Sequence, residues 1–312
     1  MRMCLRVCVL AAALRPVPGM AQSSADAPPA GGVRQSLNDA WWTGPLLAAS
    51  AGTMPPGHFL VEPYLYDVVG PHSNGFGSRT YIMYGLVDRL AVGLIPTFGY
   101  NKMNEGLNSS GVGLGDLTAL AQYGLTRFHP GGWIPATSVV VQETFPTGAY
   151  DRLGDRPSDG LGGGAYTTTV ALYSQSYLWM PNGRILRVRL DVSEAFSSTA
   201  NLEGVSVYGT GPEFRGHATP GPSLFVNPAG EYSLTRNWVL ALDLSYGHNG
   251  NTVVRGSGIR LNSGPSDAFG FAPGVEYNWT PKVGVILGAR VIAGGHNTPF
   301  TVTPAVAVNI VI

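Results

Sequence analysis

The chain has 312 residues, with 19 basic and 19 acidic side chains and a formal net charge of zero. Charged residues make up 12 %, about half the share of a soluble domain, and the 43 glycines are about twice the usual proportion. Plentiful aromatic and β-branched residues at zero net charge exclude a disordered chain, and the lack of a basic excess excludes a nucleic-acid binder.

The chain opens with Arg2 and Arg6, an apolar run from Val7 to Leu14, and the small-residue stretch Gly19-Met20-Ala21. This pattern predicts a secretory signal peptide over residues 1–21. The apolar run is well short of the ~20 residues of a spanning helix. Cleavage would remove Arg2, Arg6 and Arg15, leaving 16 basic against 19 acidic residues. Cys4 and Cys8 would leave too, so the mature chain would hold no disulfide, thiol nucleophile or cysteine metal ligand. An exported chain without cysteine suits an oxidising compartment.

Residues 22–57 form an N-terminal segment rich in Pro, Ala and Gly, with Trp41-Trp42 inside it. The paired indoles are too apolar for water, so the segment is expected either as an internal plug or as a periplasmic tail. As a plug it would bring a hydrophobic solute against Trp41, Trp42, Tyr64 and Tyr66.

From residue 58 the pattern alternates with period two, which puts successive side chains on opposite faces of a strand. Leu186, Val188, Leu190 and Val192 share one face, and Arg187, Arg189 and Asp191 the other. Trp238, Leu240, Leu242, Leu244 and Tyr246 repeat the pattern against Asp243 and Ser245, and Val283 to Val291 does so against Gly284, Gly288 and Arg290. Five short turns, such as Met180-Pro-Asn-Gly183 and Asn278-Trp-Thr-Pro281, separate six longer Gly-rich or polar connections. These breaks delimit twelve strands over residues 58–312. Short turns at one end and long loops at the other are the asymmetry of outer-membrane barrels. The predicted fold class is all-β: a closed antiparallel transmembrane β-barrel of about 12 strands, exported and monomeric. A secreted sandwich would need a more charged exterior than this composition supplies. Tyr84, Tyr177, Trp179, Tyr232, Trp238, Tyr277 and Trp279 stand at strand ends, where an interfacial girdle is expected.

By parity, Glu62, Arg187, Arg189, Asp191, Asp243, Glu276 and Arg290 fall on the polar, lumenal face, and Asp116 and Glu231 are expected to join them. They would either line a selective constriction or fill a narrow barrel with ion pairs. The mixture of signs favours pairing. Asp151, Asp155 and Asp159 interleave with Arg152 and Arg156, so local pairing is expected there in place of a cation site. Gly111-Val-Gly-Leu-Gly115 reads as hairpin punctuation, since no helix pattern follows it. His72-Ser73-Asn74 has the letters of a hydrolase, but neighbours on a strand point apart and do not form a triad. No spacing suggests zinc, and no catalytic residue, metal or cofactor is expected.

Gly57-His-Phe-Leu-Val-Glu62, Tyr84-Gly-Leu-Val-Asp-Arg-Leu90, Gly113-Leu-Gly-Asp-Leu-Thr118 followed by Tyr123-Gly-Leu, and Phe145-Pro-Thr-Gly148 resemble the outer-membrane barrel family named after the MetA pathway of phenol degradation. The resemblance runs from about Gly57 to the C-terminus. Ile312 stands where such barrels usually end in an aromatic read by the barrel-assembly machinery. The resemblance implies a Gram-negative outer-membrane channel passing small hydrophobic or aromatic compounds, with lipid and solute as partners and no enzymatic activity. The alternative is a structural or surface-interaction barrel without transport, contacting partners through loops 197–221 and 248–266.

Overall fold

A computed structural model describes residues 34–312. The expected signal peptide, 1–21, and the start of the N-terminal segment lie outside the described residues. Among the described residues, helix is confined to two 3₁₀ turns, Leu37–Asp39 and Pro157–Asp159, and no helix is long and apolar enough to cross a membrane.

The strands are β1 (Phe59–Val69), β2 (Ser73–Val87), β3 (Leu90–Ile95), β4 (Thr97–Met103), β5 (Gly113–Leu114), β6 (Leu117–Thr126), β7 (Ala136–Phe145), β8 (Thr167–Trp179) and β9 (Ile185–Ser197). They continue as β10 (Ala200–Glu203), β11 (Arg215–Thr219), β12 (Ser223–Ser233), β13 (Trp238–Asn249), β14 (Val253–Gly256), β15 (Ile259–Asn262), β16 (Ser266–Thr280), β17 (Val283–Gly294) and β18 (Thr301–Val311). β3 and β4 are halves of one strand, both paired with β2 and interrupted at Pro96, which has no N–H to donate. β5 is a stub on β4. With β10, β11, β14 and β15 set apart as a separate sheet, twelve antiparallel strands remain in the wall. β1 pairs with both β2 and β18, which closes the barrel. At the seam, Phe59 and Ile312 exchange backbone hydrogen bonds at 3.1 and 2.9 Å. Closure leaves no open edge, as lipid requires.

The alternation resolves inside out. Along β13, Trp238, Leu240, Leu242 and Leu244 are exposed while Val239, Ala241, Asp243 and Ser245 are buried. Leu242 is 45 % exposed and its neighbour Asp243 is 0 %. Leu190, Val275 and Leu287 are likewise exposed on the outer surface, while Arg187, Arg189, Glu231 and Glu276 are buried within. A water-soluble sandwich would show the reverse. This outer belt is a lipid-facing surface.

The girdle expectation needs one correction. Trp238, Tyr277 and Trp279 form an outer aromatic row, with ring centroids 4.7 and 5.3 Å apart. Tyr177 and Trp179 instead face the barrel interior: Tyr177 meets Trp42, and Trp179 donates from Nε1 to the Gln35 carbonyl at 2.9 Å. They share the inward parity of Tyr173 and Gln175.

Loops 197–221 and 248–266, read from the sequence as connections alone, contain strands. They supply the four-stranded sheet β10-β11-β14-β15 at the long-loop end. Its inner face, Ala200, Leu202, Ala218 and Val254, packs with Phe214 and Ala165 and against Tyr150 and Tyr208. Ser257 and Gly258, with φ of 45° and 73°, make the two-residue turn between β14 and β15. Burial, with Asp116 adding to it, holds the Tyr208 hydroxyl above the usual tyrosine range, and that hydroxyl donates to the Gly163 carbonyl at 2.5 Å. The expected local pairing in 151–159 is replaced by longer-range contacts. Arg152 pairs with Glu203 at 2.5 Å, Arg156 donates to the Asn108 carbonyl, and Asp159 accepts from the Ser110 N–H.

Candidate functional site

The chain before β1 makes an excursion into the barrel. At the short-turn end Gln35 bonds Gly183 backbone to backbone, Asp39 pairs with Arg236, and the Trp41 N–H donates to the Arg236 carbonyl. The segment then rises along the inner wall. Thr43 and Gly44 donate backbone N–H groups to Glu276 Oε2 at 2.6 and 3.2 Å. Leu47 and Ala48 donate to the two oxygens of Asp243, and Ala49 donates to Asp191 Oδ2 at 2.6 Å. It returns past Ser50, whose carbonyl accepts from Gln122 at 2.8 Å, to Gly57, which bonds the Gly85 carbonyl at the short-turn rim.

This arrangement accounts for the buried charges. Arg187 grips Glu231 with Nε and Nη2, and Arg189 Nε lies 3.1 Å from Glu231 Oε2. Two arginines serve one glutamate, so the Glu276, Asp243 and Asp191 carboxylates need other donors. A buried carboxylate is costly unless hydrogen-bonded. Five backbone N–H groups of the segment supply those bonds. In return Arg189 Nη1 donates to the Ala48 carbonyl at 2.7 Å, and the Arg187 guanidinium lies 4.6 Å from the Trp42 ring. The wall is cut away where the segment lies against it: a Cβ on Gly284 would collide with Thr43 Oγ1, and one on Gly288 would come within 2.7 Å of Leu46 Cδ1.

The remaining expected residues divide. Glu62 faces the lumen and accepts from Asn309 at 3.2 Å. Arg290 also faces inward, apart from the anchoring cluster, with its guanidinium 5.9 Å from the Phe225 ring. Asp116 lies before β6 at the outer rim, where its carboxylate accepts from Gly148 and Gly163 at 2.9 and 2.7 Å and fastens the 146–164 loop. Trp41 sits beside Arg236 at 5.6 Å, and Trp42 stands beside the lumen. Gln122, Gln175, Asn227 and Asn278 are further buried polar residues of the inner wall. Parity alone would have found Gln122, Gln175 and Arg79. Among the described residues no cluster of His, Cys, Asp and Glu has the arrangement of a metal site.

Four cavities follow one another through the barrel. The outermost, about 690 Å³, reaches Tyr66 and Arg79. The next, about 270 Å³, shares those residues and ends on Leu46 and Leu47. A third, about 250 Å³, shares Leu46, Leu47, Tyr64 and Tyr81 with it and surrounds the segment down to Met54. The fourth, about 620 Å³, shares Trp42, Gly52 and Met54 with the third and opens among Asp88, Arg127 and Tyr177 at the short-turn end.

The family model for the MetA-pathway of phenol degradation matches residues 44–303. The chain belongs to this family. The match begins inside the lumenal segment and ends at Thr303, near the start of β18. No curated protein sequence matches the chain. Among solved structures, an outer membrane channel from Pseudomonas putida F1 is similar over 85 % of this chain and 98 % of its own, at 17 % identity and a TM-score of 0.66. The Pseudomonas putida toluene transporter TodX aligns over 90 % of this chain and 96 % of its own, at 11 % identity and a TM-score of 0.38. The first of these likenesses shows the fold: an outer-membrane β-barrel.

Proposed function

We propose that the protein is a passive channel of the Gram-negative outer membrane for small hydrophobic or aromatic compounds, and that residues 40–54 are its internal gate. The run of four adjoining cavities carries this reading, because the tip of the segment, at Leu46 and Leu47, stands between the second and the third. Family membership and the apolar outer belt support it. The lumenal charges act as anchors for the gate more than as a filter, since Asp191, Asp243 and Glu276 are occupied by segment backbone. We read the protein as a channel and not an enzyme, inserted in lipid by the barrel-assembly machinery.

Deleting residues 33–50 tests the gate. Single-channel conductance in planar bilayers rises in the deletion protein, and an unchanged conductance overturns the gating role. Growth of a deletion strain on aromatic carbon sources tests the channel itself. The surface-interaction reading has one observation in its favour, the ordered outer sheet with its own apolar core. Loss of adhesion without any change in solute uptake would select it.

A further inference from the structure

The second cavity has an electrostatic character that the anchoring cluster lacks. Arg79 from β2 and Arg290 from β17 both line it. Neither has a carboxylate within 4.0 Å among the described residues, although Arg187 and Arg189 lower in the barrel both do. Arg290 Nε is buried with no hydrogen-bond partner. The nearby Asp243 is engaged by Leu47, Ala48 and Asn227, and Glu62 by Asn309. What the two guanidiniums do have is aromatic rings: Arg79 lies 5.9 Å from Tyr81, and Arg290 lies 5.9 Å from Phe225. Leu46, Leu47, Val68 and Ile292 give the same chamber an apolar lining.

Arg290, partly buried with its Nε unpartnered, and Arg79, exposed and without a carboxylate partner among the described residues, line one cavity and favour an anion there, because a carboxylate supplies the charge-assisted bonds they lack. The apolar and aromatic lining disfavours a small hydrated ion and suits a planar ring. A neutral hydrocarbon would fill the space and leave both cations uncompensated. We propose that this chamber is a binding site for small aromatic monocarboxylates, held by Arg79 and Arg290 through the carboxylate and by the tyrosine and leucine lining through the ring. This deepens the channel reading and rests on it for transport. It narrows the solute class to aromatic acids, met above the tip of the gate. Their entry is through the outermost cavity, which shares Tyr66, Val68, Arg79 and Thr301 with the chamber.

The test uses the full-length barrel, sodium benzoate, and benzyl alcohol as the neutral analogue. Calorimetry in detergent reads binding, and proteoliposome uptake reads passage. Wild type is expected to bind benzoate at least about tenfold more tightly than benzyl alcohol. The Arg79→Gln/Arg290→Gln pair should lose that preference, and its benzoate-to-benzyl alcohol uptake ratio should fall by about the same factor. The Arg79→Lys/Arg290→Lys pair keeps the charge and most of the binding, which guards against a general loss of folding. Arg260→Gln, on the outer sheet, leaves the ratio unchanged. The proposal is overturned if wild type shows no preference for benzoate. It is also overturned if the glutamine pair binds as wild type does, or if the lysine pair loses binding as fully as the glutamine pair. A wild-type protein that binds benzoate but passes neither solute supports the site and overturns the channel reading.

Discussion

Asp243 holds Ala48 by its main chain: the carboxylate, wholly buried, accepts the Ala48 N–H at 2.9 Å. The bond joins a strand in the middle of the barrel wall to a segment that belongs to no sheet. Asp191 and Glu276 make the same kind of attachment on either side. Removing Asp243 and Asp191 together should therefore free the tip of the segment. With each of the three charge-assisted bonds from Leu47, Ala48 and Ala49 contributing about 1.5 kcal/mol or more, the Asp191→Ala/Asp243→Ala pair shifts the docked-to-free balance on the order of a thousandfold. Planar-bilayer recordings should show longer and larger openings, and limited proteolysis should cut within 40–54.

Gly284 offers a steric route to the same state. A methyl there would strike Thr43 Oγ1 and the Asn278 amide, so Gly284→Ala pushes the segment from the wall at a cost of about 1–3 kcal/mol. Conductance should rise as in the aspartate variants. Adding Thr43→Ala removes the colliding hydroxyl and should bring conductance back toward wild type. If it does not, the glycine matters to the wall and not to the segment.

The Glu231 carboxylate holds two arginines at once. Glu231→Gln leaves Arg187 and Arg189 buried without a counter-charge and should cost about 3 kcal/mol of barrel stability. Urea unfolding in liposomes, followed by the loss of the fast-migrating folded band on unheated gels, reads this directly. An unchanged midpoint would mean that water or a displaced Glu276 replaces the lost charge.

The outer belt makes the opposite demand. Leu242 is exposed in mid-strand on the lipid side. Leu242→Arg should lower folding stability in bilayers by about 2–4 kcal/mol. The same substitution on a soluble sandwich would be nearly neutral, so this variant separates the two architectures by measurement.

The barrel wall was legible because one residue of register moves a side chain from lipid to lumen, which forces the alternation seen in β9, β13 and β17. The lumenal parity of Arg187, Asp243 and Glu276 followed from the same rule. Tyr177 and Trp179 were misplaced for an instructive reason. A girdle is a statement about height along the barrel, and height does not determine the face. The outer sheet was hidden because its four strands are only four or five residues long and its turn is a bare Ser257-Gly258. The path of the N-terminal segment was least legible of all. Its attachments at Thr43, Gly44, Leu47, Ala48 and Ala49 are made by backbone N–H groups, which every residue but proline has.

The segment reaches the lumen at Gln35 beside Gly183 and leaves it at Gly57 beside Gly85, both at the short-turn rim. It is thus a tethered loop and not a thread passed through the ring. A loop can be withdrawn and reinserted while every wall hydrogen bond stays in place. If this segment is the gate proposed above, its opening is independent of assembly, and the barrier to it is set by a handful of anchoring bonds instead of by the stability of the whole fold.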